Sequence, residues 1–554
     1  MVVRVSARPK ALQPASGGCV TLIPDMRFKK VDAKVDFPKL ERRILKDWEK
    51  RGILKKYLCK NLNVKERFGF LDGPITANNP MGVHHAWGRS YKDLFQRYKN
   101  MQGFRQRFQN GFDAQGLWVE VEVEKELGFK SKKDIEKYGI GKFVKRCKER
   151  VFKYAKIQTK QSKRLGYFMD WDKGSYFRGT AKETRLANKV RGSYYTLSDE
   201  NNYTIWYFLK KCHERGWIYE GKDVVPWCPR CGTAISEHEI VTEGYRELTH
   251  KGLFLKFPVT GKPKTYFLVW TTTPWTLPAN TTLAVGDETA YVTVQQGDEL
   301  FILADGREVA AGIAGKVQEK VGGKEFAGLA YMGPFDDLPI QEGVTHRVVL
   351  ADFVATEEGT GVVHLAPGSG KEDFQLAKER DLPVIESLDE EGKYLQGFGK
   401  YSGRRATEVE EEIIKDLKER GFLYKVEDYT HRYPVCWRCG TELLFRLVDE
   451  WYIEMDELRE PVKKVVQSIN WIPSWGLERE LDWLENMGDW LISKKRYWGL
   501  ALPFYKCKKC NTFEVIGSKE ELKERAISGW KEFEGHSPHR PWVDKVKIAC
   551  LKCG

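Results

Sequence analysis

No apolar run in this chain approaches the twenty or so residues that cross a bilayer as a helix. A helical membrane protein is therefore excluded. The amino terminus is basic and lacks the continuous apolar stretch of a secretory signal, so the expected compartment is the cytoplasm. Low-complexity tracts and solenoid repeats are also missing, which excludes a disordered linker or a stacked array. An acidic excess is lacking too: 92 Lys and Arg outweigh 78 Asp and Glu, for a net charge of +14. That balance suits a polyanionic partner, although an ordinary solvated surface has the same look. What remains is globular, with 41% hydrophobic and 31% charged residues. A chain of 554 residues fits three or four domains and can bury large cores without covalent staples.

Cysteine is the sharpest compositional signal. Eight of the twelve cysteines form four CxxC pairs: Cys228/Cys231, Cys436/Cys439, Cys507/Cys510 and Cys550/Cys553. A disulfide within each pair is one reading. Without a secretory signal, halves of tetrahedral thiolate zinc sites are the better one. Pro and Trp flank both of the first two pairs, in Pro226-Trp227-Cys228 and Pro434-Val435-Cys436-Trp437. One zinc could tie these distant segments together, and a second could join the last two pairs. Cys19, Cys59, Cys147 and Cys212 are scattered and read as single buried or incidental cysteines.

Along the chain, residues 1 to about 30 lack periodicity and read as an arm. A helix is expected over 36–58. Phe68 to Leu71 reads as a strand running into the loop Asp72-Gly73-Pro74. A helix is expected from His84, with Trp87, Tyr91, Leu94, Phe95 and Tyr98 at spaced positions. Strand, Gly/Pro loop and helix together open a nucleotide-binding α/β unit. A second strand is expected at Phe104 to Phe108, ending at Asn110-Gly111-Phe112-Asp113. Helices are expected over 142–165, over 198–215 with Ser198 before and Gly216 after, and near 404–420 with Gly421 as its stop. Between about 248 and 350, short runs such as Tyr266 to Trp270, Tyr291 to Val294 and Arg347 to Leu350 suggest a separate β-barrel-like domain.

The stretch Gly73-Pro74-Ile75-Thr76-Ala77-Asn78, followed by Gly82-Val83-His84-His85, joins a compact loop to a helix start with two imidazoles. Such a start can hold a triphosphate and its developing charge; a polar loop with two surface histidines is the plainer reading. Lys92 and Asp93 complete the frame. With these residues the sequence resembles the class I aminoacyl-tRNA synthetases, and specifically the isoleucyl enzymes, from about residue 36 to its last residue. The family's HIGH element falls on Gly82 to His85: Gly82 replaces the first histidine, His85 keeps the second, and His84 stands at the glycine position, where it could supply the missing imidazole. Gly111-Phe112-Asp113-Ala114-Gln115-Gly116-Leu117 resembles the family's Gly-Trp-Asp-x-His-Gly-Leu. The resemblance gives Asp113 the amino acid's ammonium group and puts Pro74 in the amino-acid pocket. Gly73, Asn78, Gly82, Gly111 and Gly116 become parts of the ATP-binding frame.

Trp270-Thr271-Thr272-Thr273-Pro274-Trp275-Thr276-Leu277-Pro278-Ala279-Asn280 resembles the editing signature of the isoleucyl, valyl and leucyl enzymes. Gly359 to Pro367, which holds His364, resembles the second signature, and Gly370-Lys371-Glu372-Asp373 follows it. By this likeness Asp373 anchors the misplaced amino acid's ammonium group, with His364 in the same pocket. Isoleucine and valine differ by one methylene, worth only about 1–3 kcal/mol in a pocket, so a second, hydrolytic site is needed. His431 to Cys439 with Thr441, Trp490 to Gly499 (Lys494 and Lys495 in place of Arg-Gln), and His539 to Asp544 fit the isoleucyl pattern.

The resemblance implies an α/β fold in which a Rossmann-like nucleotide-binding domain is split by a zinc-knuckle-bounded, β-rich editing domain. The implied layout is an arm and helix (1–60), the first half of the catalytic domain (61–225), a knuckle segment (226–245), the editing domain (246–430), a returning knuckle (431–446), a return to the catalytic domain (447–506) and a second zinc-binding insertion (507–554). ATP with Mg2+, isoleucine, isoleucine tRNA and two structural Zn2+ are the implied ligands, with no membrane partner. The Lys-Met-Ser-Lys-Ser loop and the anticodon-binding domain of the family are not found. The expectation is therefore a fragment, a truncated gene model or one half of a split enzyme completed by a separate carboxy-terminal polypeptide. Alternatives are a valyl or leucyl enzyme, a deacylase acting in trans, and a zinc-stabilised RNA-binding module.

Overall fold

The computed structural model describes residues 33–69, 73–171, 193–236, 239–240 and 244–554. The expected arm, Cys19 and the end of the expected strand at Leu71 lie outside the described residues. The chain divides into two compact units, Met1–Lys60 and Asn61–Gly554. In the first, the helix expected over 36–58 is two helices, α1 (Phe37–Lys50) and α2 (Ile53–Cys59). Asp36 caps α1 by accepting from the Lys39 amide at 3.0 Å. Gly52 breaks the pair at φ +61°, a left-handed conformation that glycine adopts without a Cβ penalty.

In the second unit, helix α3 (Val83–Met101) starts where expected. The strand expected at 104–108 is displaced: β1 is Asn110–Phe112. Gly111 is therefore no turn residue. It pairs in parallel with Tyr194, and a Cβ there would lie 2.2 Å from the Tyr194 ring. Helices α4 (Leu117–Leu127), α5 (Lys132–Tyr138) and α6 (Ile140–Leu165) follow, then β2 (Ser193–Tyr195), the parallel partner of β1. Helix α7 (Asp199–Glu214) is capped by Ser198 and stops before Gly216, at φ +78°. Phe112, Val123, Phe143, Val151, Tyr195 and Trp498 belong to one core beneath these elements.

Strand β3 (Ile218–Cys228) leads to the first cysteine pair and to β4 (Thr233–Ala234). The insertion then runs through β5 (Tyr245–Pro258), β6 (Thr265–Thr271), β7 (Thr282–Val285), β8 (Ala290–Gln296), β9 (Glu299–Ala304), β10 (Lys316–Gly322), β11 (Arg347–Leu350) and β12 (Val362–Leu365). Helices α8 (Lys371–Arg380) and α9 (Glu410–Glu419) precede β13 (Leu423–Pro434) and β14 (Leu444–Ile453). Helix α9 starts later than expected because the chain from 404 to 409 is spent in turns and a short 3-10 segment.

Six strands form a sheet in the order β10-β8-β9-β6-β5-β13, and three form a second in the order β11-β7-β12. The β-barrel-like domain expected from the sequence is thus built as two sheets with free ends in their strand order. Both contribute to one core, with Leu253, Phe267 and Val269 from the first and Leu283, Val348 and Val362 from the second. The chain enters and leaves this domain through two antiparallel ribbons in series. β3 pairs with β14 from Ile218↔Ile453 to Trp227↔Leu444. β5 pairs with β13 from Leu255↔Leu423 to Tyr245↔Pro434. Four cysteines sit between the ribbons. No helix among the described residues is long and apolar enough to cross a membrane.

Candidate functional site

The loop from Gly73 to Gly82 is anchored from below by α6. Gln158 Nε2 donates to the carbonyls of Thr76 at 2.9 Å and Asn79 at 2.8 Å. Arg150 holds the Asn79 side chain at 2.9 Å, and the Met81 amide donates to Gln161 at 2.8 Å. Asn78 is buried, Pro74 half-buried and Gly73 exposed, its carbonyl accepting from Lys92 at 3.1 Å. Sequence reasoning missed the three α6 residues, because a glutamine or arginine on a basic helix carries no local signal of what it will reach.

At the start of α3, the Gly82 amide donates to His85 Nδ1 at 3.1 Å. His85 therefore carries its ring proton on Nε2, where it can donate to an anionic oxygen. Burial, then His84 and Arg89, lower its pKa. The exposed His84 ring leans over position 82: a Cβ on Gly82 would lie 2.9 Å from its Cε1. The two imidazole centroids are 3.9 Å apart. His84 thus takes the space that a side chain at 82 would use.

Asp113 follows β1 and forms a parallel bridge with Thr76. Its carboxylate accepts from Thr76 Oγ1 at 3.0 Å and from Thr196 Oγ1 at 3.2 Å. Thr196 is fixed in turn by receiving the Ala114 amide at 2.8 Å. A carboxylate held by two hydroxyls beside a loop can receive an ammonium group without reorganising. Gln115 donates to Asn202 at 2.8 Å, so it works as a packing amide. Gly116 stands at φ +102° at the start of α4. Trp498, from the returning motif, donates to the Ala114 carbonyl at 2.9 Å, and its amide bonds the buried Glu120 at 2.8 Å. This brings the 490–499 motif against α4 and the segment before it.

In the insertion, the segment after β6 coils on itself. The Thr273 amide donates to Thr271 Oγ1 at 3.2 Å, and Thr276 Oγ1 donates to the Thr273 carbonyl at 2.8 Å. His364, on β12, meets Thr276 Oγ1 at 2.8 Å through Nε2. Its Nδ1 faces Asn280 Nδ2 at 3.4 Å. That amide nitrogen can only donate, so the histidine proton sits on Nε2 and points at Thr276. Asn280 is oriented by the Tyr331 hydroxyl at 2.8 Å. Burial holds the His364 pKa down at about 4, so the ring is neutral at pH 7.

Asp373, in the first turn of α8, accepts from the Ala366 amide at 2.8 Å, two residues beyond His364. Burial first pushes its pKa up to about 6; the Ala366 bond opposes this, and Glu372 adds to it. It lines a cavity of about 430 Å³ with Trp270, Phe353, Glu358, Thr360 and Glu372. Thr271, Thr272, Thr273 and His364 do not line this cavity; the threonine turn and histidine form a buried hydrogen-bonded group of their own. Another cavity, of about 760 Å³, lies among Lys132, Arg230, Glu391 and Tyr497 and contains no candidate residue.

The four cysteine pairs assemble as two groups, Cys228 with Cys231, Cys436 and Cys439, and Cys507 with Cys510, Cys550 and Cys553. Within each group all sulfurs lie within 4.8 Å of one another. Cys228 and Cys439 are 3.5 Å apart, and Cys507 and Cys553 are 3.4 Å apart. Disulfide sulfurs would stand at about 2.05 Å, whereas tetrahedral Zn–S bonds of about 2.3 Å place sulfurs roughly 3.8 Å apart. Both groups could hold zinc. Cys147 and Cys212 are buried and Cys59 is exposed.

The family model for tRNA synthetases class I (I, L, M and V) matches residues 43–547. The isoleucine–tRNA ligase of Thermus thermophilus is 40% identical over 534 residues, 95% of this chain and 48% of the relative. That of Methanothermobacter thermautotrophicus is 38% identical over 521 residues, 93% and 47%. That of Clostridium tetani is 38% identical over 532 residues, 95% and 49%. The chain spans about half the length of these curated relatives. A solved Agrobacterium radiobacter K84 LeuRS–tRNA–LeuAMS complex, 15% identical, covers 94% of this chain and 57% of that one at a TM-score of 0.35, too loose a match to carry an argument. With residues 43–547 of its 554 matched by the family model, the chain belongs to the class I tRNA synthetases (I, L, M and V).

Proposed function

We propose that this chain carries the amino-acid-activating and proofreading parts of an isoleucine–tRNA ligase that works in the cytoplasm. The observation that carries the reading is the presence on one chain of two separate acidic sites, Asp113 beside a loop–helix start and Asp373 in a cavity of the insertion. A ligase that selected by binding alone would have no use for the second. The names of the relatives favour isoleucine over valine or leucine.

In activation, a carboxylate oxygen of isoleucine attacks the α-phosphorus of ATP, and the bond to the bridging oxygen breaks as pyrophosphate leaves. Asp113 holds the ammonium group through its pre-set carboxylate. His85 Nε2–H donates to the phosphates, with His84 beside it. Mg2+ bound with ATP supplies charge neutralisation. Positioning and electrostatics suffice, and no covalent enzyme intermediate is needed. In editing, water attacks the ester carbonyl of valyl-tRNA and the ribose oxygen leaves. Asp373 holds the ammonium group, while His364 fixes the Thr271–Thr273 turn through Thr276. Cys228, Cys231, Cys436 and Cys439 would hold one structural Zn2+, and Cys507, Cys510, Cys550 and Cys553 a second.

Helix α3 supports a partner for activation. It buries Arg89, Gln96 and Asn100 and exposes its apolar side: Trp87, Leu94 and Met101 are 65%, 60% and 69% exposed. The reading assigns that side to the remainder of the nucleotide-binding fold, supplied by a separate carboxy-terminal polypeptide. The test is ATP–pyrophosphate exchange with isoleucine, valine and leucine, using the chain alone and mixed with such a polypeptide. Isoleucine-dependent exchange in the mixture supports the proposal. Full exchange by the chain alone refutes the need for a partner, and preference for valine or leucine refutes the specificity.

A further inference from the structure

Helix α6 carries ten Lys and Arg against one Glu, an excess of nine where the whole chain has fourteen. Its exposed cations are not scattered. Lys142, Lys145 and Arg146 begin the series, Lys153, Lys156 and Lys160 continue it, and Lys163 and Arg164 end it; all eight are exposed. At about 100° per residue they fall within an arc of roughly 100°. At about 1.5 Å per residue the stripe is roughly 33 Å long. The helix cannot roll, because Val144, Cys147, Val151 and Ala155 on its opposite side are buried in the domain core, and Gln158 holds the loop above. The sole acid, Glu149, pairs with Arg146 at 3.3 Å.

We infer that the α6 stripe is a docking surface for the phosphate backbone of an RNA duplex, the helical arm of the tRNA that the proposed function requires. A straight, rigid row of cations matches a regular polyanion and releases its counterions on contact. It has no means of reading bases, so its contribution is independent of sequence. An anionic membrane is the less suitable occupant: the stripe has lysines but no flanking face of large apolar side chains to enter the lipid.

The experiment uses the full chain with three probes: an isoleucine tRNA transcript, an unrelated RNA hairpin, and phosphatidylcholine–phosphatidylserine vesicles. The variant Lys153→Gln/Lys156→Gln/Lys160→Gln keeps helix propensity and removes three charges. Lys316→Gln/Lys415→Gln/Lys418→Gln, in the insertion, is the control. With melting temperatures unchanged, the α6 variant is expected to weaken both RNAs by more than about tenfold at low salt and to flatten the salt slope by about three; the control is expected to leave both alone. Unchanged RNA binding and slope in the α6 variant would overturn the inference, as would vesicle binding that the variant abolishes while RNA binding persists. Hydrolysis of valyl-tRNA is measured in parallel. Its absence would count against the editing reading alone, because the RNA arms do not depend on it.

Discussion

The insertion and the nucleotide-binding segment solve the burial problem differently. The insertion closes on itself, with two sheets sharing one core and its acidic site set into a cavity. The segment around the start of α3 holds, among the described residues, two three-residue parallel strands and a helix that turns polar residues inward and aromatic residues outward. Both strands are themselves covered, as parallel strands ordinarily are, so what sets this segment apart is the apolar side that α3 leaves exposed. Under the proposed function, the proofreading site would lie within a domain that shares one core, and the activation site beside an exposed apolar side. The joint between them is the cysteine clamp separating the two ribbons, and the first way to break the comparison is to break that joint. Zinc analysis is expected to give two ions per chain. Structural zinc is worth on the order of 10 kcal/mol in small modules, so Cys436→Ala should release one ion and unprotect amides of both ribbons, while those of the insertion core stay slow to exchange. Disulfides in place of zinc, or uniform loss of protection, would sink this.

The two regions should also respond differently to surface charge. Trp87→Lys with Phe95→Lys touches only exposed positions of α3, so the chain's own stability should move by less than about 0.5 kcal/mol. Recovery of pyrophosphate exchange on mixing with the carboxy-terminal polypeptide should nevertheless be lost. Normal recovery would show that the apolar side of α3 is not the docking face.

Within the insertion, Asp373 offers a pH test. Its folded pKa, about 6, lies above the ordinary 3.8. The folded chain therefore holds the proton more tightly, and stability contributed by the protonated form is lost as pH rises from about 4 through 6. Asp373→Asn should be neutral at pH 4 and stabilising by about 1–3 kcal/mol at pH 8, from roughly two units at about 1.4 kcal/mol each. Hydrolysis of valyl-tRNA should rise through pH 6 in the parent chain, as the carboxylate forms, and the variant should lose the distinction between valine and isoleucine. Equal loss of both amino acids in the parent would remove the site from consideration. Thr276→Val would leave the buried His364 proton without its acceptor, at a cost of about 1–3 kcal/mol. It should slow hydrolysis without changing the pH midpoint.

What was legible beforehand follows the range of the interactions. Helices α6 and α7 show in periodicity and in caps such as Ser198 and Gly216, which act within a turn or two. The strands of the insertion show in β-branched runs bounded by turns. The strand expected at Phe104 to Phe108 was placed too early, because nothing local shows that Gly111 admits the Tyr194 ring and so belongs to β1. The aromatic residues of α3 were expected at spaced positions of a helix, but nothing local says whether the side they share will be covered. The chemistry-bearing residues of both sites were named from motifs. Their supports were not: Thr196, Gln158, Asn280 and Tyr331 act across about 50 to 80 residues of sequence, where spacing gives no guidance.

The smallest expected effect concerns position 82. Its backbone, at φ −82°, is ordinary for any residue, so a substitution meets no backbone strain. It does meet the His84 ring, which is exposed and free at its far end to swing away. Gly82→Ala should therefore change stability by less than about 0.5 kcal/mol and yet separate two imidazoles that now lie 3.9 Å apart. The shift should appear in the ring-proton resonances of both histidines. If His84 does the work of an imidazole at 82, Gly82→Ala should also depress exchange in the reconstituted enzyme, and so should Gly82→His, because two side chains would then compete for one space. Gly82→His with His84→Gly should recover activity by restoring one ring to that space. Unmoved resonances in Gly82→Ala, or full activity of His84→Gly on its own, would show that the ring over Gly82 is a bystander and that His85 serves the phosphates without it.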